Sequence, residues 1–398
     1  MKSEWKKVSV SDFGRIVTGK TPKTAIPEYY GGCIPFLTPS DDMSVKYVLS
    51  TSKTITEDGK NSVKNAVIPK NSICVSCIGS DLGKVVITTK ETVTNQQINS
   101  VIVNTELYDV DFVYYAMVIL GKVLNYHSKT STAVPIVNKS TFSQYEILCP
   151  ELSEQRKIAR ILSEIDSKIA VNTAINENLE QQAQALFKAW FVDFEPFGGV
   201  MPDDWKIISL GKLCDSISKK HKFNKDELIF LNTGDVENGM ILHNNHSEVS
   251  QMPGQAKKSI AINDILYSEI RPINKHFAYV NFVADDYVVS TKLMVLRAKG
   301  ISPRRLYQFL TMPDTLKELQ VEAESRSGTF PQIRFDNIQQ LEMIVASEQV
   351  EKEYSERLNT IYSMIDTNNS ENKRLSALRD TLLPKLMNGE IDVSEVKI

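Results

Sequence analysis

The sequence has few cysteines, no long apolar run and no excess of charge of one sign. Its five cysteines are an odd number scattered over 398 residues, so we expect no disulfide framework and a reducing, cytoplasmic location. No segment approaches the roughly 20 apolar residues of a membrane helix, and residues 1–7 lack the apolar core of a signal peptide. Lysine and arginine total 46 against 49 aspartates and glutamates, which excludes a polybasic tail and an acidic disordered chain.

What the sequence does contain is a repeat of about 200 residues. Residues 5–10, WKKVSV, are echoed by 205–210, WKIISL, and residues 131–136, STAVPI, by 328–333, GTFPQI. Each copy then reaches a Ser-Glu-Gln triplet, at 153–155 and 347–349, and continues into a long charged run. The chain is therefore a tandem duplication in which each copy is a globular domain followed by a helix.

The two charged runs have the periodicity of long helices. Seam residues alternate at spacings of four and three from Ile158 to Trp190 and, 196 positions later, from Tyr354 to Leu386. This is the a/d pattern of a heptad repeat, and a run of roughly 33 residues gives a helix about 50 Å long. No proline or glycine interrupts either run before Pro196 and Pro384, which we expect to end the helices.

Paired asparagines occur at the same two seam positions of both runs. Buried asparagines cost stability but fix the register between helices, so the repetition favours mutual packing as a coiled coil. The alternative is that each helix packs only on a globular domain. The residues predicted to form the helix–helix seam are Ile165, Ile169, Asn172, Asn176, Leu179, Ile361, Ile365, Asn368, Asn372 and Leu375.

The segments outside the helical runs are mixed in character. Short β-rich runs at 72–78, 84–89, 264–270 and 277–282 precede helical patterns near 110–123 and 303–319. We predict an α+β fold with two tandem mixed α/β domains, at 1–150 and 198–346, and long helices at 151–197 and 347–398. The helical segments each carry a net charge of −3, whereas the first domain carries +3 and the second is neutral.

One motif matches a phosphate-binding loop letter for letter. Residues 14–21, GRIVTGKT, fit G-x-x-x-x-G-K-[ST], which requires a buried strand before it and a helix beginning at its Lys-Thr end. Pro22 follows directly and disfavours a helical Thr21, and the preceding segment is not a continuous apolar strand. We interpret the motif as a flexible loop that carries Lys20 and Lys23.

No other group of residues makes a coherent catalytic or metal site. Cys74 and Cys77 lie three apart in a predicted strand, so they point to opposite faces and have no second ligand pair. Asp264 and Glu269 resemble a nuclease carboxylate pair, but arginine stands where the lysine is expected. We therefore predict no catalytic residue, no metal site and no cofactor on this chain.

Basic and amide side chains recur in the polar segments of both domains. Arginine, lysine, glutamine and asparagine are the side chains that read base edges, and the cations also contact phosphates, although any single one of them could be ordinary surface charge. The residues predicted to contact DNA are Lys20, Thr21, Lys23, Lys84, Gln96 and Gln97 in the first domain, and Lys219, Lys220, Lys222, Arg271, Lys275 and Arg326 in the second.

Together these features resemble the DNA-specificity subunits of type I restriction–modification systems. Residues 150–159, PELSEQRKIA, resemble the family's entry to the central helix, and 186–194, LFKAWFVDF, resemble its exit. Residues 19–22, GKTP, resemble an early loop of the family, and 382–391, LLPKLMNGEI, its C-terminal ending. The likeness covers essentially the whole chain.

The resemblance implies a non-catalytic subunit that supplies sequence specificity. Each domain would read one half of a split double-stranded DNA target, and the two helices would pack antiparallel and set the gap. Two modification (methyltransferase) subunits carrying S-adenosylmethionine would dock on the helices, and restriction subunits would add ATP- and magnesium-dependent cleavage. No membrane partner is expected. Two alternatives remain at this point: a P-loop nucleotide hydrolase that uses residues 14–21, and a coiled-coil adaptor that binds protein but not DNA.

Overall fold

The chain forms two compact units, each built from one globular part and halves of two long helices. A computed structural model describes residues 5–79, 82–129, 136–326 and 330–396, without the side chains of 127–129 and 326. Unit 1 comprises Met1–Asn172 with Ser370–Ile398, and unit 2 comprises Thr173–Asn369. The long helices are the central helix, Leu152–Phe191, and the C-terminal helix, Glu348–Met387. Among the described residues, none of the helices could span a membrane.

Within the described residues, the globular part of unit 1 contains three β-sheets. A two-stranded sheet pairs Lys6–Ser9 with Glu146–Cys149. A five-stranded sheet has, in spatial order, the strands Gly14–Thr18, Ile98–Val103, Ile73–Ser76, Val85–Thr88 and Tyr47–Val48. A four-stranded sheet has the strands Thr54–Ile55, Tyr30–Leu37, Thr92–Thr94 and Val67–Ile68. The strands are short and mostly antiparallel, as expected for runs broken by turn residues.

The helix Val110–Lys129 covers the five-stranded sheet of unit 1 and forms its main core. Phe112, Val113 and Met117 are fully buried against sheet residues such as Ile73 and Val75. The same core includes Ile158 and Leu162 of the central helix and Leu383 and Leu386 of the C-terminal helix. The part of this unit that the structure describes also contains the helices Glu57–Asn61 and Lys139–Ser143 and the 3₁₀ turns Val10–Phe13, Pro27–Tyr29 and Lys64–Ala66.

Unit 2 repeats this plan with different detail. Its two-stranded sheet pairs Lys206–Ser209 with Glu342–Val345, and its main sheet has the order Cys214–Ser216, Leu293–Ala298, Ile265–Ser268 and Phe277–Tyr279. A further sheet has the order His246–Glu248, Glu227–Leu231, Tyr287–Ser290 and Ala256–Ser259, and Val236–Glu237 pairs with Met240–Ile241. The main sheet keeps the strand order of four adjacent strands in unit 1, which confirms the internal repeat.

The helices of unit 2 cover its main sheet as in unit 1. Leu306 and Leu310 are fully buried in a core that also contains Tyr354 and Leu358 of the C-terminal helix. The helices are Leu210–Leu213, Pro303–Thr311, Pro313–Arg326 and Phe335–Ile338, and the 3₁₀ turns are Glu195–Phe197, Thr233–Asp235, Val249–Gln251 and Pro272–Asn274. Both globular parts are therefore mixed α/β domains, and the predicted α+β class is confirmed.

The two long helices run antiparallel within each unit. In unit 1, Asp166 contacts Arg379 and Asn172 contacts Asn372, so residue numbers fall on one helix as they rise on the other. Unit 2 follows the same rule, because Asn176 contacts Asn368 and Trp190 contacts Tyr354. Each helix has 40 residues, or about 60 Å, longer than the 50 Å expected from the periodic run.

The prediction that Pro384 ends the C-terminal helix is wrong. The helix continues through Pro384 to Met387. A proline in a helix costs about 3 kcal/mol, since it removes one backbone hydrogen bond and crowds the preceding turn. Leu383, Leu386 and Met387 are buried in the core of unit 1, and each buried side chain of this size contributes about 1.5–3 kcal/mol. The packing of the last turn therefore outweighs the local penalty.

Candidate recognition edges and helix joints

In unit 1 the fold brings two polar loops together at one edge of the five-stranded sheet. The backbone N–H groups of Gly19 and Lys20 donate to the carbonyls of Ile98 and Thr94, at 3.0 and 2.8 Å. Across the same gap, the Thr21 hydroxyl donates to Oε1 of Gln96 at 2.7 Å. A side chain at position 19 would lie 2.1 Å from the Asn95 carbonyl oxygen, so only glycine allows this close approach.

The other predicted contact residues of unit 1 lie at the same edge. The Gln97 carbonyl accepts from the Cys77 N–H at 2.7 Å, and Lys84 pairs with Ser76 on the next strand. Lys23 stands further along the first loop and is exposed, as are Lys20, Lys84 and Gln96. We define the recognition edge of unit 1 as Lys20, Thr21, Lys23, Lys84, Gln96 and Gln97. These residues come from distant parts of the sequence, and sheet pairing alone makes them neighbours.

The phosphate-loop match does not fold as a phosphate loop. Residues 14–18 form an outer strand of a mostly antiparallel sheet, and no helix begins at Lys20 or Thr21 within the described residues around the motif. The next regular element is the 3₁₀ turn Pro27–Tyr29. The backbone amides of Gly19 and Lys20 are already bonded to the sheet and cannot point at a phosphate.

The cysteines and carboxylates singled out in the sequence have structural roles. Cys74 and Cys77 are buried on opposite faces of the sheet, and burial raises the pKa of their thiols to about 12 and about 11. Asp264 is fully buried and accepts two bonds from Arg297, at 2.7 and 2.8 Å. No group of three or more potential metal ligands occurs among the residues that the structure describes.

In unit 2 the three predicted lysines lie on a short exposed segment. The Lys219 carbonyl accepts from the Ser259 N–H, and the N–H of the buried His221 donates to the Lys257 carbonyl, so 219–221 pairs with the strand Ala256–Ser259. The side chains of Lys219, Lys220 and Lys222 are exposed. Pairing thus holds their backbone while the charges face solvent.

Arg271 and Lys275 flank a turn at the end of a main-sheet strand of unit 2. Both are exposed, and both have positive φ angles, 43° and 57°, on either side of the 3₁₀ turn Pro272–Asn274. The Arg271 N–H donates to the Pro331 carbonyl at 3.2 Å. Arg326 ends the helix Pro313–Arg326, and its side chain lies outside the described residues. Whether any of these residues touches DNA stays a prediction.

The seam asparagines pair across the helices. Nδ2 of Asn172, which is 1% exposed, donates to Oδ1 of Asn372 at 2.9 Å and to Glu371 at 2.7 Å. In unit 2, Nδ2 of Asn368 donates to Oδ1 of Asn176 at 2.8 Å. The apolar seam residues are buried or partly buried: Ile165, Ile169, Leu179, Ile361, Ile365 and Leu375. The first asparagine of the central helix thus pairs with the second of the C-terminal helix, and the second pairs with the first. This reciprocal pairing is what a two-fold repeat with antiparallel helices requires.

A polar network that the sequence did not suggest joins the globular part of unit 1 to its helix pair. Nζ of Lys46 lies 2.9 Å from Oδ1 of Asp111 and donates to the Ser163 hydroxyl at 2.8 Å. The Tyr115 hydroxyl donates to Oδ2 of Asp166 at 2.6 Å. Oδ1 of Asp166 also accepts from Arg379 of the C-terminal helix at 3.0 Å. We call these six residues joint 1.

The corresponding joint 2 lies on the helix Pro303–Thr311 of unit 2 and is built from cations and rings. The guanidinium of Arg304 lies 3.7 Å from the ring centre of Tyr279 and pairs with Asp366 of the C-terminal helix. Next to it, Arg305 is fully buried with its guanidinium 3.7 Å from the ring centre of Phe191. Burial lowers the pKa of Arg305 to about 10.

Comparison with known proteins identifies the family. The sequence matches the type I restriction modification DNA specificity domain over residues 2–181 and again over 202–377. The chain belongs to this family. It is a specificity subunit of a type I restriction–modification system, with two specificity domains in tandem, and it recognises a DNA target. The two matches coincide with the two copies of the internal repeat.

Other specificity subunits are similar to this one over one or both copies of the internal repeat. The HindI specificity subunit of Haemophilus influenzae is 40% identical over 182 residues, which cover 45% of this chain and only 40% of that protein. The MjaIX specificity subunit of Methanocaldococcus jannaschii is 25% identical over 417 residues, covering 99% of this chain and 95% of that protein. The S subunit of M. genitalium shares the fold, with a TM-score of 0.60 at 18% identity over 97% of this chain and 96% of that one.

Proposed function

We propose that each globular part reads one half of a bipartite DNA target. The observation that carries this proposal is the duplication itself, since both copies place basic or amide side chains on exposed edges beside the same sheet strands. A protein with two copies of a DNA-reading domain on one duplex recognises two half-sites. In unit 1 the reader is the recognition edge; in unit 2 it is Lys219, Lys220, Lys222, Arg271 and Lys275, joined by Arg326.

In this proposal the paired long helices set the gap between the half-sites. A 40-residue helix is about 60 Å long, which exceeds the roughly 34 Å of one DNA turn. The asparagine pairs fix the register between the helices, because a shift by one residue would leave their amides without partners. The gap is then a fixed property of the helix pair.

The chain itself carries out no chemistry in this proposal, and its partners supply the reactions. Two modification subunits with S-adenosylmethionine dock on the helices and methylate adenine, and restriction subunits with ATP and magnesium cleave, in the cytoplasm. The near-neutral charge of the chain fits this division of work, because the partner subunits can provide phosphate affinity. The adaptor alternative has no specific observation in its favour, and the phosphate-loop alternative lacks the required helix.

The test maps methylated adenines in the DNA of a host that expresses this chain together with its modification subunits. We expect a split sequence with a fixed gap. Exchange of residues 200–346 for another such domain should change one half-site only, and a change in both would contradict modular reading.

Insertion of one heptad into each long helix, in register, tests the role of the helices. Seven residues add about 10 Å, so we expect a gap longer by about 3 base pairs with both half-sites unchanged. The matched control inserts a heptad into one helix only, which breaks the asparagine pairing and should abolish site-specific methylation. An unchanged gap in the double insertion would remove the spacing role from the helices.

A further inference from the structure

The side-chain amide of Gln97, at the recognition edge of unit 1, has its orientation fixed through Asn95 by a backbone hydrogen bond. The Gln97 N–H, which can only donate, bonds to Oδ1 of Asn95 at 3.1 Å. Nδ2 of Asn95 must then be the donor in its 2.8 Å contact with Oε1 of Gln97. Asn95 is 9% exposed and holds this orientation inside the domain. The side-chain oxygen of Gln97, Oε1, is therefore turned inward.

The outward atoms of this edge are hydrogen-bond donors. Nε2 of Gln97 has no acceptor among the residues that the structure describes. Gln96 lies beside it, and its side-chain amide forms a 2.7 Å hydrogen bond with the Thr21 hydroxyl. Lys20 and Lys23, on the loop that packs against Gln96, can only donate. The amide amine of Gln97 and the two ammonium groups are therefore hydrogen-bond donors at the same edge.

A cluster of donors selects among base edges in the major groove. Guanine presents two adjacent acceptors there, N7 and O6, whereas adenine presents one acceptor beside a donor. A glutamine reads adenine with its side-chain oxygen and its amine together, so both atoms must reach the base. Here the side-chain oxygen of Gln97 is turned toward Asn95 inside the domain, which leaves the amine on the outer side. We propose that Gln97 reads a guanine in the half-site of the first domain, through its side-chain amine.

This inference rests on the proposed reading of one half-site by unit 1. Phosphate oxygens are also acceptors, so the same donors could bind the DNA backbone instead. The two sources differ in their consequences: a base contact changes the preferred sequence, whereas a phosphate contact changes affinity equally for all sequences. The guanine assignment is therefore tested by whether substitution changes the sequence preference.

Two independent substitutions replace the outward hydrogen-bond donor at Gln97 with an acceptor. Gln97→Glu replaces the outward amine with a carboxylate oxygen. Asn95→Asp removes the inward donor, so that Gln97 must turn its amine inward and its oxygen outward. The full chain is assembled with its modification subunits, and binding is measured by competition against duplexes that carry each base at each position of the first half-site. That half-site is identified by exchanging residues 1–150.

We expect the unaltered complex to prefer guanine by about tenfold or more at one position of the first half-site. Both variants should lose that preference and favour cytosine there, because an outward acceptor suits its N4 amine. The second half-site should be unchanged, and the base preferences at the other positions of the first half-site should persist, which shows that unit 1 is folded. Gln144→Glu, at an exposed position outside the edge, is the matched charge control and should leave both half-sites unchanged.

Three outcomes would overturn the assignment. One is the absence of a guanine requirement in the first half-site of the unaltered complex. Another is weaker binding by Gln97→Glu that is equal for all sequences, as a phosphate contact predicts. The third is a base preference that stays the same in both variants. A complex with no bipartite preference at all would instead contradict the proposed function, so the two failures are distinguishable.

Discussion

Joint 1 and joint 2 occupy equivalent places in the repeat but use different chemistry. Joint 1 is a chain of hydrogen bonds through Lys46, Tyr115 and Asp166 to Arg379. Joint 2 places Arg304 and Arg305 against aromatic rings, with acidic partners on the C-terminal helix. Duplication therefore preserved where each domain meets the helices while the contacting side chains diverged. The comparison implies that the fold fixes the place of a joint and leaves its chemistry free to change.

The joints also differ in how completely their polar groups are satisfied. Within the described residues, Nε and Nη1 of Arg305 and Oε2 of Glu351 are buried without a hydrogen-bond partner, although the two side chains lie 3.8 Å apart. In joint 1, by contrast, both oxygens of Asp166 accept bonds. Joint 2 therefore depends more on packing and on a buried ion pair, whereas joint 1 depends on individual hydrogen bonds.

The largest effect is expected at Arg305. Arg305→Ala leaves the Glu351 carboxylate unpaired and opens a cavity beside Phe187 and Phe191, so unit 2 should lose about 3–5 kcal/mol of stability. The double variant Arg305→Met with Glu351→Gln should regain most of this, because an apolar replacement needs no charge partner. Denaturant unfolding followed by the fluorescence of Trp190 and Trp205, which belong to unit 2, measures both. A double variant as unstable as the single one would contradict this account of the joint.

A smaller effect is expected in joint 1. Tyr115→Phe removes the hydroxyl that donates to Asp166, and unit 1 should lose about 1–2 kcal/mol. Tyr114→Phe is the matched control: Tyr114 is also buried, but its hydroxyl has no hydrogen-bond partner among the described residues, so the change should be within about 0.5 kcal/mol. Amide hydrogen exchange in 110–126 reports the local stability. Equal effects of the two substitutions would show that the hydroxyl bond contributes nothing specific.

The smallest effect depends on pH and concerns Glu180, which faces Arg304 and Asp366 in unit 2. Burial raises the pKa of Glu180, and Asp366 adds to this, whereas Arg304 opposes it. The folded state thus holds the proton more tightly than the unfolded state, so stability falls as pH rises from the ordinary glutamate pKa through the raised one. Glu180→Gln should remove this fall, with a gain below about 1 kcal/mol at pH 8 and none at pH 4. Glu177→Gln, an exposed neighbour on the same helix, should show no such pH-dependent gain, and a similar gain in both variants would exclude burial as the cause.

The sequence predicted the repeat and the helices well because both leave periodic signals. The heptad spacing and the repeated asparagines depend only on order along the chain, and the structure places Asn172 opposite Asn372 and Asn176 opposite Asn368. The end of the C-terminal helix was predicted wrongly, since the local penalty of Pro384 is visible in the sequence but the burial of Leu386 is not.

The joints and the orientation of the edge amides could not be predicted in the same way. Lys46, Tyr115 and Asp166 are distant in sequence, and only folding brings them into contact. One signal was available for joint 2: the adjacent arginines 304 and 305 stand in an otherwise apolar helix pattern, where buried charge needs a partner. The orientation of Gln97 depends on a single backbone bond that no motif encodes.

Gly19 has a consequence for how this protein can acquire new targets. Its backbone touches the 94–95 turn so closely that any side chain would collide with the Asn95 carbonyl. Lys20, Lys23 and Gln96, by contrast, are exposed on either side of that contact. If these exposed side chains read DNA as proposed, mutation can replace them while the backbone contact beneath them is kept. In a library of variants of this region, we expect position 19 to tolerate almost nothing and its exposed neighbours to tolerate nearly everything, with altered targets among the survivors.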